Sequence, residues 1–297
     1  MLELVLDSRR HDLGGFEVGR VLPSRKRHMV GPFIFLDHLG PLDMRGPIPR
    51  SSDVRPHPHI GLSTVTYLFD GQMTHRDSLG MDQVIEPGAL NWMTSGGGIT
   101  HSERFDGMRA SGGHIEGLQA WVALPEEHER DEPSFDHYDS GELPQFDEGG
   151  VSGRIIAGSA FGLESGARTH SPLFYVHADL RRDARLAVPD AAPERAAFIA
   201  GGSVELGGQR YTTGQMLVFA AGSAPVLRAL EPSRVMLLGG EPVGHRYIWW
   251  NFVSSRLDLI EQAKADWQAG RMPLPPADNA EFIPLPDRPM PPPNPMS

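Results

Sequence analysis

Residues 55–71, RPHPHIGLSTVTYLFDG, join a paired-histidine motif to a strand-like segment. The strand-like part is rich in β-branched and aromatic residues, and Asp70-Gly71 is typical of a hairpin turn. Side chains at positions i and i+2 of an extended strand point to the same face. His57 and His59 can therefore present two imidazoles side by side, an arrangement suited to binding a metal ion.

A second pair of possible ligands, His101 and Glu103, has the same i, i+2 spacing. A turn signal at residues 86–88 and a glycine run at residues 96–98 precede it, so this pair also lies near predicted strand ends. Together the two motifs offer three imidazoles and one carboxylate, which suits Fe, Ni, Cu, Mn or Zn. One His-x-His pair would be a weak signal in a chain with 13 histidines, so the prediction depends on both motifs.

Each predicted ligand has an ordinary alternative role. His57 and His59 could be surface histidines beside prolines, and no metal would then be needed to explain them. Glu103 could instead form an ion pair with Arg104 or Arg109 in a loop.

Two further histidines near the motifs are interpreted differently. His114 and Glu116 repeat the His-x-Glu spacing but directly follow two glycines, and we predict that they are not ligands. His75 is two residues from Asp77, and it is either a partner of a metal ligand or an ordinary strand histidine.

The composition excludes several classes of protein. The chain has 297 residues, a net charge of −11 and no cysteine. An acidic surface disfavours direct binding to nucleic acid, and without cysteine there is no disulfide, thiolate zinc site or cysteine nucleophile. No signal peptide and no apolar stretch of membrane-spanning length is visible. We therefore expect a cytoplasmic protein that binds neither nucleic acid nor membranes.

Short apolar runs broken by 34 glycines and 27 prolines predict an all-β protein. Residues 197–219 repeat the pattern of residues 67–92, in which an apolar strand ends at a glycine turn and a second turn leads to another apolar strand. We predict an N-terminal metal-binding domain at 1–130, a charged linker at 131–150 that continues a solvated stretch from residue 126, and a second domain at 151–297 without metal ligands.

One helix is predicted near the C-terminus, at about 254–270. Ser254-Ser255 would cap its N-terminus and Gly270 would end it. Leu257, Ile260, Ala263 and Trp267 recur at helical spacing. The proline-rich tail from Pro273 is expected to form no regular structure.

Seven short segments between residues 55 and 103 together carry a family resemblance. They are Arg55-Pro56-His57-Pro58-His59-Ile60-Gly61, Thr64-Val65-Thr66-Tyr67, His75-Arg76-Asp77-Ser78-Leu79-Gly80, Pro87-Gly88, Trp92-Met93, Gly96-Gly97-Gly98-Ile99 and His101-Ser102-Glu103. In order and spacing, they resemble the pirin family of bicupin proteins, which belong to the cupin superfamily. The match is specific over residues 30–125 and weaker beyond. This resemblance implies two tandem cupin β-barrels, with one metal ion in the N-terminal barrel, usually iron, held by His57, His59, His101 and Glu103.

The resemblance also implies a function. It indicates a metal-dependent dioxygenase that cleaves a flavonol such as quercetin, or a similar aromatic enol, with O2 and release of carbon monoxide. The cofactor would be Fe(II), with Ni, Cu, Mn and Zn as alternatives, and Glu103 would be the catalytic base. The alternative function is a non-catalytic metal-sensing or redox-sensing regulator that binds a protein partner. A weaker third interpretation is a metal-dependent isomerase of the wider cupin group.

Overall fold

The computed structural model describes residues 1–13 and 15–287, and it confirms the predicted all-β fold. Strands account for 52% of the chain. The chain forms two compact units. The site unit comprises residues 11–18, 39–137 and the described residues from 243 onward, and the companion unit comprises residues 1–10, 19–38 and 138–242.

The strands and the α-helix are bounded as follows, with three single-turn 3-10 helices at Arg50–Ser52, Asp106–Met108 and Glu126–His128. They are β1 (Leu2–Asp7), β2 (Arg9–Asp12), β3 (Glu17–Leu22), β4 (Phe33–Arg45), β5 (Val54–His59), β6 (Leu62–Asp70), β7 (Met73–Asp77), β8 (Asp82–Ile85), β9 (Leu90–Thr94), β10 (Ile99–Arg104), β11 (Gly112–Ala123), β12 (Ser134–Tyr138), β13 (Gln145–Glu148), β14 (Val151–Ala160), β15 (Leu163–Glu164), β16 (Leu173–Leu180), β17 (Arg185–Ala187), β18 (Glu194–Gly201), β19 (Ser203–Leu206), β20 (Gln209–Thr212), β21 (Gln215–Phe219), β22 (Val226–Ala229), β23 (Ser233–Gly240), β24 (Tyr247–Trp249), β25 (Phe252–Ser254) and α1 (Leu257–Gln268).

The site unit is built around two sheets. The smaller has the strand order β5-β10-β7-β8, and the larger has, within this unit, the order β12-β9-β6-β11 followed by the part of β4 from residue 39 onward. Apolar side chains from both sheets share one buried core, including Leu68 on β6, Met73 on β7, Ile85 on β8 and Ile115 on β11. The sheets do not close into a continuous barrel, and the arrangement is a cupin β-sandwich.

The companion unit repeats this two-sheet arrangement. Its larger sheet has the order β1-β21-β18-β23-β16-β14-β13, with β15 paired to β14, and its smaller sheet has the order β17-β22-β19-β20. Ile199 and Leu217 of the larger sheet share a buried core with Leu186 and Leu227 of the smaller one. The prediction of two cupin domains is thereby confirmed.

The compact units combine segments that are far apart in sequence. Strand β1 pairs with β21, so the first residues of the chain belong with its second half. The segment predicted as a linker contains strands β12 and β13. The domain boundaries 1–130 and 151–297, with a linker at 131–150, remain a prediction.

Helix α1 lies within the predicted range. Its buried face consists of Ile260, Ala263 and Trp267, which pack in one cluster with Ile60 and Phe252. The helical spacing of apolar residues was therefore a sound basis for predicting this element, since that spacing places them on one stripe.

The predicted serine cap of α1 is wrong. The residue at the N-cap position is Arg256, which makes no side-chain capping hydrogen bond. The two serines bind a carboxylate instead: the Ser254 hydroxyl donates to Glu129 at 2.6 Å, and the Ser255 backbone N–H donates to Glu129 at 2.7 Å.

Glu129 is the centre of a buried polar network. Its side chain is only 1% exposed, although the sequence suggested a solvated charged stretch here, and it forms an ion pair with Arg246 at 3.1 Å. Arg246 also donates to the Leu124 carbonyl oxygen at 2.7 Å. The network therefore links the segment after β11 to the segments around β24 and β25, within the site unit.

The C-terminal segment, residues 273–287, contains no helix or strand, as predicted for its proline content. It is held by side chains of strand β10. Asp278 accepts hydrogen bonds from the Ser102 hydroxyl at 2.6 Å and from Arg104 Nε at 2.7 Å. The Ile283 N–H donates to the Pro56 carbonyl oxygen at 2.8 Å. The rest of the predicted proline-rich tail, residues 288–297, lies outside the described residues.

Asp278→Asn is expected to lower the free energy of unfolding by about 2 kcal/mol at pH 7, because Arg104 is buried and loses a charged partner. Burial raises the pKa of Asp278, but hydrogen bonds from Arg104 and Ser102 outweigh this and hold the pKa below its usual value. The stabilisation should therefore be present above the unfolded-state pKa of about 3.9 and be lost as the pH falls through the folded-state value.

Urea unfolding of both proteins at pH 7, 5 and 3 checks this prediction. The exposed Asp287 provides the control substitution, Asp287→Asn, which should unfold like the wild type. A difference between Asp278→Asn and wild type that stays the same at all three pH values would contradict the assigned carboxylate role.

Candidate metal centre

Strands β5 and β10 place three of the predicted ligands together. They pair antiparallel with His57 opposite His101 and with His59 opposite Ile99. The three histidines are 7%, 1% and 1% exposed, in the order His57, His59 and His101. One ring nitrogen from each of the three lies within 4.8 Å of the others. The two motifs thus converge in the interior of the site unit.

Backbone carbonyl groups fix the orientation of two of these imidazoles. The Nδ1 atom of His57 lies 2.8 Å from the Arg55 carbonyl oxygen, and the Nδ1 atom of His59 lies 3.1 Å from the Asn251 carbonyl oxygen. A carbonyl oxygen can only accept a hydrogen bond, so Nδ1 carries the proton in both rings. The Nε2 atoms are left with free lone pairs, which is the form that binds a metal ion.

Burial keeps the cluster uncharged. It lowers the pKa of His57 to about 4. It also lowers the pKa of His59 and of His101 well below the usual value, and the neighbouring imidazoles add to this effect. All three rings are therefore neutral at pH 7, as ligands must be.

The spacing of the nitrogen atoms also fits a metal ion. The Nε2 atoms of His59 and His101 are 3.1 Å apart. Two ligand nitrogens placed ~2.1 Å from one ion at a right angle would be separated by ~3 Å. The chemistry and the separation of these donors therefore suit a divalent transition metal.

Glu103 follows His101 by two residues on β10 and is half-buried. Its carboxyl group does not belong to the three-histidine donor group, so its role as a ligand remains a prediction. Burial raises the pKa of Glu103 to about 7, and a hydrogen bond with the Thr66 side chain opposes the rise. A carboxyl group with such a pKa can exchange a proton near neutral pH.

The alternative partners considered for Glu103 are engaged elsewhere. Arg109 forms an ion pair with Asp53 at 2.7 Å, and Arg104 forms one with Asp278 at 2.7 Å. The surface interpretation of the histidine pair fails as well, because His57 and His59 are buried.

His114, which we predicted not to be a ligand, lies partly exposed beside Asp43. His75, for which the sequence left two roles open, is buried, and its Nδ1 atom lies 3.3 Å from His101 Nδ1. The signals of this position in the sequence are the spacing His75-x-Asp77 and the resemblance over residues 75–80. The contact of His59 with Asn251 left no signal, because a backbone carbonyl has no sequence signature.

The fold and the histidine cluster define a bicupin with a candidate metal centre in the site unit. The Pirin family model matches residues 15–122, and the model of the Pirin C-terminal cupin domain matches residues 175–273. A pirin-like protein of Caulobacter vibrioides is 60% identical over 288 residues, which cover 97% of this chain and 100% of the relative. The chain belongs to the pirin family, and the resemblance seen in the motifs is confirmed.

Two solved structures share the whole fold. One quercetin 2,3-dioxygenase from Acinetobacter baumannii is 32% identical, with a TM-score of 0.87 over 96% of this chain and 95% of that chain. A second structure of that name from the same organism is 26% identical, with a TM-score of 0.84 over 92% and 98%. Within the described residues, no helix is both long enough and apolar enough to cross a membrane.

Proposed function

We propose that this protein is a metal-dependent dioxygenase that cleaves flavonols such as quercetin with O2 and releases carbon monoxide. The observation that carries the proposal is the convergence of three buried, neutral imidazoles, two of which, His57 and His59, keep a lone pair on Nε2. The similarity to a quercetin 2,3-dioxygenase over nearly the whole chain supports the choice of substrate class.

One divalent transition metal would be held by His57, His59, His101 and Glu103. Fe(II) is our first choice, and Ni, Cu, Mn and Zn are alternatives suited to the same donors. When bound, such an ion would acidify a coordinated substrate hydroxyl and would mediate electron transfer to O2.

The protein's own groups would prepare the substrate. Glu103, on transient release from the ion, would accept the proton of the flavonol hydroxyl on a carboxylate oxygen. Trp121 is buried, with its ring edge-to-face with His59 and 5.2 Å away between centroids. Its indole offers an apolar surface against which a flat aromatic substrate could pack. The buried surroundings would also limit the access of water to the reacting groups.

Aerobic turnover by iron-loaded protein tests the proposal. We expect loss of the quercetin absorbance together with consumption of O2 and formation of carbon monoxide, one equivalent of each per quercetin. Fully iron-loaded, air-exposed protein that leaves quercetin unchanged relative to the protein-free blank would contradict the proposed activity. That result would favour the alternative function, a metal-sensing or redox-sensing regulator.

A further inference from the structure

We propose that His75 and Asp77 form a hydrogen-bonded relay that sets the tautomer of His101 and thereby makes its Nε2 atom the metal-binding atom. The proposal rests on the metal-binding role of His101 proposed above. It adds two positioning residues that lie outside the predicted ligand set.

The relay is continuous and buried. His101 Nδ1 lies 3.3 Å from His75 Nδ1, and His75 Nε2 lies 2.9 Å from Asp77 Oδ2. His101, His75 and Asp77 are 1%, 5% and 0% exposed. The ring of His75 stacks on Phe135, with centroids 4.4 Å apart and planes at 21°, so packing also restrains its orientation.

Asp77 determines the direction of every hydrogen bond in the relay. Its Oδ1 atom accepts the backbone N–H groups of Leu79 at 2.9 Å and Met81 at 3.2 Å, which leaves Oδ2 facing His75. A carboxylate can only accept, so a neutral His75 ring carries its proton on Nε2 and has a lone pair on Nδ1. His101 must then donate from Nδ1, and its Nε2 atom has no proton.

These tautomers place two unprotonated ring nitrogens face to face at the candidate centre. The Nε2 atoms of His59 and His101 face each other at 3.1 Å, and by these assignments neither carries a proton. Two lone pairs at this distance repel each other unless a cation lies between them and accepts both. The relay therefore prepares the site for a metal ion rather than for a hydrogen bond between the two rings.

Asp77→Asn should exchange donor and acceptor in each hydrogen bond of the relay while the side chains keep their positions. The amide oxygen will remain beside the N–H groups of Leu79 and Met81, because an NH2 group there would face two donors. The NH2 group will then face His75 Nε2, which must become an acceptor. His75 moves its proton to Nδ1, His101 must accept at Nδ1, and the proton of His101 is transferred to Nε2, where it blocks metal binding.

The experiment compares Ni²⁺ binding by metal-free wild type, Asp77→Asn and Asp82→Asn. Asp82 is an exposed carboxylate on the same hairpin that pairs with Arg76, so it controls for loss of a negative charge. We expect Asp77→Asn to weaken Ni²⁺ binding by about 10–100-fold, as is usual for partners of metal ligands. Asp82→Asn should bind like the wild type.

Nitrogen-15 NMR of the histidine rings in the metal-free protein reads the tautomers directly. In wild type, His101 should be protonated at Nδ1 and unprotonated at Nε2, and Asp77→Asn should show the reverse. A wild-type His101 that is protonated at Nε2, or a folded Asp77→Asn that binds Ni²⁺ as tightly as wild type, would overturn the relay. If Asp77→Asn does not fold, the wild-type spectrum alone tests the relay, because it shows whether His101 carries its proton on Nδ1 or on Nε2.

These outcomes are distinct from failure of the proposed function. Wild-type protein that does not bind Ni²⁺ would contradict the metal centre itself. Tight Ni²⁺ binding by both wild type and folded Asp77→Asn would contradict only the relay. Quercetin turnover enters neither comparison.

Discussion

His101→Ala is expected to reduce quercetin consumption to the level of the protein-free blank while leaving the fold largely intact. The substitution removes one of the three buried imidazoles, and the proposed reaction depends on the metal ion that they would hold. The core is built by other residues, such as Val65, Tyr67 and Leu68, which are fully buried. Quercetin absorbance after addition of Fe(II), together with the circular dichroism spectrum of the variant, measures both effects.

The matched control for this substitution is His114→Ala. His114 lies partly exposed beside Asp43, outside the three-histidine group, so its removal should leave turnover near the wild-type rate. Turnover that survives His101→Ala would show that the activity arises elsewhere in the protein.

Glu129→Ala is expected to cause a large loss of stability, about 3–5 kcal/mol in the free energy of unfolding. The substitution leaves Arg246 buried without its ion-pair partner, and Arg246 is only 3% exposed. It also removes the acceptor for the Ser254 hydroxyl and the Ser255 N–H. Urea unfolding of metal-free protein measures the effect, because bound metal would itself stabilise the folded state.

Glu127→Ala supplies the control for charge in the same stretch of sequence. Glu127 is exposed, and the substitution should change the free energy of unfolding by no more than about 0.5 kcal/mol. Equal stability of Glu129→Ala and Glu127→Ala would show that the buried network contributes nothing to the fold.

Each histidine motif could be predicted from sequence, because an i, i+2 spacing on a strand places both side chains, such as those of His57 and His59, on one face. Local spacing does not specify that β5 and β10 pair antiparallel with His101 opposite His57. The position of Glu103 is harder to predict from sequence. The pairing of β10 with β5 shifts register between His101 and Glu103, and such an irregularity has no signature in these residues.

Glu129 shows why other features could not be predicted. In sequence it lies in a run of charged residues that indicates a solvated loop. Its burial depends on Arg246 and Ser254, which lie more than a hundred residues away. The same contacts explain the wrong helix cap, because a serine that binds a distant carboxylate is not available to the first turn of α1. The pairing of β1 with β21 also could not be predicted from local sequence patterns, because the two strands are far apart in the sequence.

The most direct test of the metal centre is an anomalous-difference map from crystals of the metal-loaded protein. We expect one peak per chain, about 2.0–2.3 Å from the Nε2 atoms of His57, His59 and His101 and from a carboxylate oxygen of Glu103. No second peak is expected in the companion unit. A peak bound by His114 or Glu116, an ion beyond residue 151, or three histidine side chains that point apart would contradict the proposed metal centre.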